Sequence, residues 1–418
     1  MRQVDLLIIG GGAAGMAAAV GAYDQGCRNI LIIERNQSLG GILRQCIHNG
    51  FGIHHFGEDL TGVEFAHRYV EMLEERKIDY ETSTFVLNVS HDLVATVTNP
   101  EKGVYDVQAK SIILAMGCRE RTRNQVLIPG FRGAGIFTAG TAQMYMNLMG
   151  YVVGKRIVVR GTGDIGLIMA RRLTLAGAKV LVCIGASDHP DGLARNVSQC
   201  LDDFGIPLLL QHTVTEIRGT DRVEQVVVSE VDEHRNVIPG TEVTYDCDTL
   251  ILSSGLIPEN ELSKEAGVDI SDVTEGAVVS DDFQTSIPGV FSCGNVLHVH
   301  DLVDFVAEEG LLAGKSAAQF ISSGTPSLDS HTIPVSDGAG VKGVVPQIIR
   351  EIHESRKIRI MFRPRKTVRN CYVCVDCDGE TVQRSKKLIV TPGEMCEIKL
   401  DSGKIPEGTR SISVRVEG

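Results

Sequence analysis

The sequence predicts an α/β protein built from two copies of one βαβ unit, followed by a small β-rich domain. Three observations predict it. Two glycine clusters lie about 150 residues apart, each between an apolar run and a helical stretch. Several further apolar runs end abruptly at glycine. After residue 330 the texture changes to short alternating runs separated by turn residues.

The run Val4-Asp5-Leu6-Leu7-Ile8-Ile9 is almost wholly apolar, as suits a parallel strand buried on both faces. Gly10-Gly11-Gly12-Ala13-Ala14-Gly15 follows, then an alanine-rich helix over residues 16–24, then Ile30-Leu31-Ile32-Ile33 ending at Glu34. The pattern recurs with a strand at 156–160 and then Gly161-Thr162-Gly163-Asp164-Ile165-Gly166. Its helix carries Leu167, Ile168, Ala170, Leu173 and Leu175, and the next strand is expected at 179–184. Such spacing marks a duplicated domain rather than a solenoid. Residues 111–117 and 249–255 read as apolar strands closed by Gly117 and Gly255. Residues 287–295 form a further late segment, a helix is expected over 302–321, and Ser322-Ser323-Gly324-Thr325-Pro326-Ser327 reads as a linker. Beyond it, residues 358–362, 372–375, 387–390 and 411–416 read as short strands.

The chain has 418 residues, 43% hydrophobic and 22% charged, which excludes a largely disordered protein. No apolar run approaches the ~18 residues needed to span a bilayer. No export signal is read at the N-terminus, and eleven cysteines without paired spacing point to reduced thiols in the cytoplasm. The net charge of −12 argues against nucleic-acid binding. Residues 331–418 nevertheless carry an excess of Lys and Arg, so a basic tail follows an acidic body.

The first glycine cluster fits G-x-G-x-x-G. Gly10 allows the tight turn, Gly12 lets a diphosphate approach the backbone, and Gly15 lets helix and strand pack closely. The helix N-terminus presents free N–H groups to the phosphates. Glu34 stands at the following strand end, where a carboxylate accepts ribose hydroxyls. The second cluster repeats the glycines at Gly161, Gly163 and Gly166. At the position of the distal acid, however, it has Gly185, with Asp188 as the nearest substitute.

These features resemble the two-dinucleotide-binding-domain flavoproteins of the pyridine nucleotide-disulfide oxidoreductase-like superfamily. Leu39-Gly40-Gly41, Ala115-Met116-Gly117, Gly255-Leu256-Ile257-Pro258-Glu259-Asn260 and residues 285–295 carry the likeness in the family's order. The resemblance implies two Rossmann-like domains, the NAD domain inserted in the FAD domain. Residues 1–120 and 246–325 would bind FAD, 121–245 NAD(P)H, and 331–418 would form the β-rich basic domain. It implies FAD contacts at Gly10, Gly12, Ala13, Ala14, Gly15, Glu34, Arg35, Gly40, Gly41, Ala115, Gly117, Gly294, Asn295, Leu302 and Val303. NAD(P)H would lie on Gly161, Gly163, Asp164, Ile165 and Gly166. The implied activity is two-electron transfer between NAD(P)H and a substrate or partner protein through flavin N5.

Two other readings stay open. One is an FAD-bearing subunit of a multi-subunit dehydrogenase of glycerol-3-phosphate or opine type, with a weak nicotinamide site. Its likeness rests on residues 46–52 and 293–301. The other is a non-enzymatic flavin-stabilised assembly or sensor protein. A small-molecule substrate or a partner dehydrogenase subunit is expected, with an oligomer or heterocomplex formed through the basic domain.

The chain departs from the family in several places. The flavin motif ends Gly294-Asn295 where Gly-Asp is usual, and the redox cysteine pair is missing. Cys46 and His48 stand where relatives pass the flavin ring and are the catalytic candidates. His298-Val299-His300-Asp301 resembles a metal motif without a further ligand set, and no metal is expected. Cys371, Cys374, Cys377 and Cys396 read as structural thiols, because strand alternation would turn Cys374 away from Cys371 and Cys377. The basic run Arg356, Lys357, Arg359, Arg363, Arg365, Lys366 and Arg369 reads either as a solvated face or as a surface for an acidic partner or the acidic body.

Overall fold

A computed structural model describes residues 1–323, 332–350 and 356–418. Residues 324–327 of the predicted linker lie outside these, whereas Ser322 and Ser323 end a helix. The chain forms two compact units, Met1–Cys118 with Pro258–Gly418, and Arg119–Ile257.

In the first unit, β1 (Arg2–Ile9) pairs in parallel with β2 (Ile30–Ile33) on one side and β3 (Gly103–Leu114) on the other. The returning strand Val290–Ser292 pairs in parallel with the end of β3. The apolar second half of β1, Leu6–Ile9, and the all-apolar β2 suit this central place, since both faces of the sheet are covered. Helix α1 (Ala13–Asp24) packs on one face, and the returning helix Val303–Ser323 packs on α1.

Small residues set that helix crossing. A Cβ on Gly21 would come 2.3 Å from Leu311 O, one on Gly310 2.3 Å from Ala14 O, and one on Gly314 2.0 Å from Ala18 O. The backbones therefore touch, and a larger residue at any of the three forces the helices apart. Helix α2 (Gly62–Glu75) starts at a capping box, with Thr61 Oγ1 accepting from Glu64 N. It buries Phe65, Tyr69 and Leu73, one per turn, each contributing roughly 2 kcal/mol.

In the second unit, the parallel sheet runs Ile136–Thr138, β6 (Thr249–Leu252), β4 (Arg156–Arg160), β5 (Lys179–Ile184), Leu208–Leu209. The sequence reading places 246–325 with the FAD-binding part. Its first strand, β6, lies instead in this sheet, paired with β4 from Ile157 opposite Thr249 to Arg160 opposite Leu252. Helix α3 (Asp164–Leu175) covers one face through Leu167, Ala170 and Leu173. An antiparallel sheet of His212–Gly219, Val223–Glu230 and Val243–Asp246 covers the other, packing Val214, Val226 and Val228 on Val158, Val182 and Leu250.

The tail is a β-sandwich with a core of Val341, Ile360, Phe362, Val373, Val375, Leu400 and Val414. Three of the four runs read as strands in the tail fall within observed strands, the fourth begins one residue before Ile412–Glu417, and Thr332–Asp337, Val341–Val345, Ile348–Arg350 and Cys396–Asp401 are additional. The tail is part of the first unit. Gln347 N and Ile348 N donate to Val279 O at 3.1 and 3.2 Å, and Ser280 bridges Ile348.

Candidate functional site

The glycine loop between β1 and α1 has the shape its sequence predicts. Gly10 has φ +107°, and a Cβ there would lie 2.4 Å from Ala115 O. One on Gly15 would lie 1.9 Å from Gly10 O. These two glycines serve packing. Gly12 differs, because a Cβ on it would meet nothing within 4 Å. It faces open space at the N-terminus of α1, where no side chain caps the helix. Free N–H groups and the helix dipole thus face an open cradle, as a diphosphate requires.

The rest of the predicted set gathers here. Gly40 N donates to Gly11 O at 2.8 Å, and a Cβ on Gly41 would lie 3.2 Å from Gly12 Cα. Glu34 is buried at the end of β2, where Oε2 accepts from Gly11 N at 2.9 Å and Oε1 from Asn36 N at 2.8 Å. Each oxygen keeps a lone pair for a ribose hydroxyl. Arg35 beside it is exposed. Gly294 approaches from the opposite side, so close that a Cβ on it would lie 2.6 Å from that of Ala14. Gly117 closes the strand at φ +74°. Leu302 and Val303 form the entry of the returning helix. These residues fit FAD: an open glycine at an uncapped helix N-terminus beside an oriented carboxylate.

The two catalytic candidates separate. Cys46 is buried, its thiol donates to Ile42 O at 3.4 Å, and burial pushes its pKa up to about 12. A thiol so placed is protonated at neutral pH and does not suit a nucleophile. His48 is half-buried, its ring tilted against Phe51 with centroids 5.1 Å apart. It remains within reach of solvent and so can exchange a proton.

Three residues were missed in the sequence. Asp304, in the first turn of the returning helix, accepts from Gly52 N at 3.1 Å and from His54 N and His55 N, each at 2.9 Å. It ties the loop after His48 to that helix. Cys118 follows Gly117 directly, and Asn295 Nδ2 donates to its sulfur at 3.6 Å. Glu309 accepts from Gly294 N at 2.6 Å and from His298 Nε2 at 2.9 Å, with His300 Nε2 at 3.4 Å. Only the i, i+3 and i+7 spacing of Asp301, Asp304 and Glu308 hinted at acids on this helix.

His298, His300 and Glu309 are buried, and their ligand atoms lie within 4.8 Å of one another. The H-x-H-D motif therefore does have a third potential ligand. Burial raises the Glu309 pKa, but His300 and His298 outweigh it and hold the carboxyl well below its ordinary range. The cluster also orients the flavin motif, since His300 N donates to Asn295 Oδ1 at 3.0 Å. The Asn295 oxygen is thus engaged and its amide hydrogens face away from His300.

The second glycine loop repeats the first. Gly161 has φ +111°, and a Cβ on it would lie 1.8 Å from Ser253 O; one on Gly166 would lie 2.8 Å from Ser253 Cβ. Gly163 is the open member, its nearest neighbour Ser253 Oγ at 3.9 Å, and the α3 N-terminus has no side-chain cap. Asp164 Oδ1 turns back to accept from Leu193 N at 2.8 Å, and Ile165 packs partly buried on the α3 side of the sheet. This loop fits the diphosphate of a nicotinamide nucleotide.

In the tail, Cys377 lies in the core with Val373 and Val375, while the Cys374 sulfur meets Glu417 at 3.4 Å. Cys374 and Cys377 thus have different surroundings, as strand alternation predicts. Arg356 pairs with Asp281, Arg359 with Glu308 at 2.8 Å, and Arg363 with Asp301. Three of the seven cations thus meet acids of the chain's own body, while Arg365, Lys366 and Arg369 are exposed.

Residues 4–314 match the pyridine nucleotide-disulphide oxidoreductase family. The NADH oxidase of Methanocaldococcus jannaschii is 26% identical over 357 residues, covering 79% of this chain and 74% of that one. One subunit of the opine oxidase of Agrobacterium tumefaciens is 26% identical, covering 70% of this chain and 61% of that one. The thioredoxin reductase of T. acidophilum shares the fold at 23% identity with a TM-score of 0.63, covering 76% of this chain and 99% of that one. No helix among the described residues is long and apolar enough to cross a membrane. The chain belongs to the pyridine nucleotide-disulphide oxidoreductase family and is an FAD-dependent, NAD(P)H-linked oxidoreductase.

Proposed function

We propose that the chain carries two electrons between NAD(P)H, held in the second unit, and a small-molecule substrate or partner protein, with FAD held in the first. The observation that supports this is the pair of glycine loops, each with one open glycine at an uncapped helix N-terminus. When bound, FAD supplies the redox chemistry, hydride exchange at N5.

The side chains do the rest. Gly12 and the N-terminus of α1 hold the diphosphate, with Ala13 and Ala14 keeping that turn narrow. Glu34 would accept the ribose hydroxyls, and Asn295 would donate to the ribityl side the amide hydrogen that Cys118 does not take. The N-terminus of the Val303–Ser323 helix would offer its partial positive charge to the negative charge that a bound flavin gains on reduction. His48 holds or releases a proton at its imidazole near the substrate. Cys46 stays protonated and is the single cysteine between Gly41 and Gly117, so no cysteine pair stands there to relay electrons. All eleven cysteines are free thiols. The same thiols fit a reducing, cytoplasmic setting.

Anaerobic mixing of the FAD-loaded protein with NADPH and with NADH tests the reading. Bleaching of the visible flavin band by one of them is expected; an unbleached band with both refutes it.

A second reading makes the chain one component of a larger oxidase or dehydrogenase. Leu148, Met149, Tyr151 and Val152 are all exposed in the second unit, an apolar run that suits a protein contact. Purification from the native source decides it, since full turnover by a lone species speaks against a role within a complex.

A further inference from the structure

We propose that the nucleotide site of the second unit selects NADPH over NADH, with Ser187, Arg235 and Arg160 recognising the 2′-phosphate. The proposal rests on the assignment of this site to a nicotinamide nucleotide and goes on to name which one.

The two glycine loops can be compared residue by residue. Gly10, Gly11, Gly12, Gly15 and Glu34 correspond at constant spacing to Gly161, Thr162, Gly163, Gly166 and Gly185. In the first loop Glu34 reaches back to Gly11 N at 2.9 Å, which places its carboxylate beside the ribose position. In the second loop both partners have changed. Gly185 has no side chain, and Thr162 fills the space: a Cβ on Gly185 would lie 2.9 Å from Thr162 Cγ2 and 3.1 Å from its Oγ1. Thr162 is buried and fixed, exchanging hydrogen bonds with Asp191 N and Asp191 Oδ2, both at 3.1 Å. Asp188, the substitute acid, is exposed and pairs with His189 at 2.5 Å. The carboxylate that would accept the 2′-hydroxyl of NADH, and repel a 2′-phosphate, is therefore replaced by packed threonine.

Positive charge gathers nearby instead. Arg160 ends β4, on the face covered by the antiparallel sheet, and donates to Ser254 Oγ at 2.5 Å. Its buried Nε has no hydrogen-bond partner. Arg235, from the turn after Val223–Glu230, donates to Ser187 Oγ at 3.4 Å, two residues past Gly185. Burial and the Arg235 guanidinium both depress the Arg160 pKa, so the two cations feel one another. Among the described residues neither has a carboxylate partner. Arg235 reaches Ser187, and the partly buried Arg160 has an unpaired Nε, so two cations without a carboxylate serve this strand end, which is unfavourable until an anion binds there. A dianionic 2′-phosphate beside Ser187 satisfies both, and a 2′-hydroxyl satisfies neither.

The test measures binding of 2′,5′-ADP and 5′-AMP to the FAD-loaded protein by calorimetry, with anaerobic flavin reduction by NADPH and NADH in parallel. The expected result is at least about tenfold tighter binding of 2′,5′-ADP, with Arg235→Ala and Ser187→Ala each narrowing that gap. The double variant Thr162→Gly with Gly185→Glu copies the first loop and should shift preference toward 5′-AMP. Equal binding of both analogues, unaltered by Arg235→Ala, overturns the selectivity while leaving the site. Binding of neither overturns the nucleotide site as well.

Discussion

Replacing Asp304 should loosen the loop that carries His48 without unseating the helix that carries Asp304. The buried carboxylate accepts three backbone N–H groups, from His54 and His55 on Oδ1 and from Gly52 on Oδ2. Asp304→Asn keeps one acceptor oxygen but turns an NH2 toward a backbone N–H. A hydrogen bond to a charged group contributes about 1.5–3 kcal/mol, and an orphaned buried donor costs a further ~1–3 kcal/mol. Partial relaxation toward solvent reduces the sum, so local opening should become easier by roughly 2–3 kcal/mol. Amide exchange at Gly52, His54 and His55 should then speed up on the order of 100-fold. Hydrogen–deuterium exchange with mass spectrometry on peptides spanning 49–58 reads this directly, with peptides from the far end of the returning helix as the control. FAD content should persist while turnover falls, because the cradle is intact and His48 is not held. Unchanged exchange at Gly52 would refute the claim that this carboxylate anchors the loop.

Gly12→Ala should fold normally, since its φ of −81° suits any residue and its Cβ meets no atom, yet FAD affinity should drop by about 100-fold; normal FAD retention contradicts an open diphosphate cradle at Gly12. Arg363→Ala leaves the partly buried Asp301 with Met395 N but no cation and should lower the Tm by several degrees, about 1–3 kcal/mol, with faster proteolysis of the tail; an unshifted Tm means the contact contributes nothing. Burial raises Cys46, Cys183 and Cys247 from 9.0 to about 12, so the folded state keeps protons that the unfolded chain releases. Stability is therefore full below pH 9.0 and declines as pH rises toward 12, by up to ~1.4 kcal/mol per pH unit per thiol; a flat Tm across that window contradicts it. The Glu309 carboxylate is already engaged by Gly294 N and His298 Nε2, so purified protein should contain substoichiometric metal; one tightly held ion per chain would reassign the cluster.

Local features made much of this legible. Gly10, Gly12, Gly15 and Glu34 lie within one βαβ unit, where periodicity and glycine spacing report geometry directly. The returning helix was readable from its 3.6-residue pattern. What escaped depends on partners far along the chain. Gln347 and Ile348 meeting Val279, or Asp304 meeting Gly52, leave no short-range trace. Thr249–Leu252 reads as a strand, but an all-apolar strand suits the middle of either parallel sheet, so its sequence cannot choose its neighbours. Cys46 shows the opposite error: a conspicuous residue type drew attention that its burial removes.

The basic run in the tail shows why composition and placement must be combined. As sequence, seven cations in fourteen residues read either as a solvated face or as a surface for an acidic partner or the chain's own acidic body. Three of them meet Asp281, Asp301 and Glu308 of the same unit, and Asp301 also accepts from Met395 N at 2.6 Å. Asp301 follows the His298–His300 pair, whose partner Glu309 holds Gly294 and whose His300 holds Asn295. The tail therefore bears on the same short segment that shapes the flavin motif. Its charge is complementary to the body on which it docks, so weakening that contact should reach the FAD site before it reaches any partner. The uneven charge along the sequence is then an instruction for the chain's own assembly, with Arg365 bonded to Val341 O inside the tail and Lys366 and Arg369 exposed.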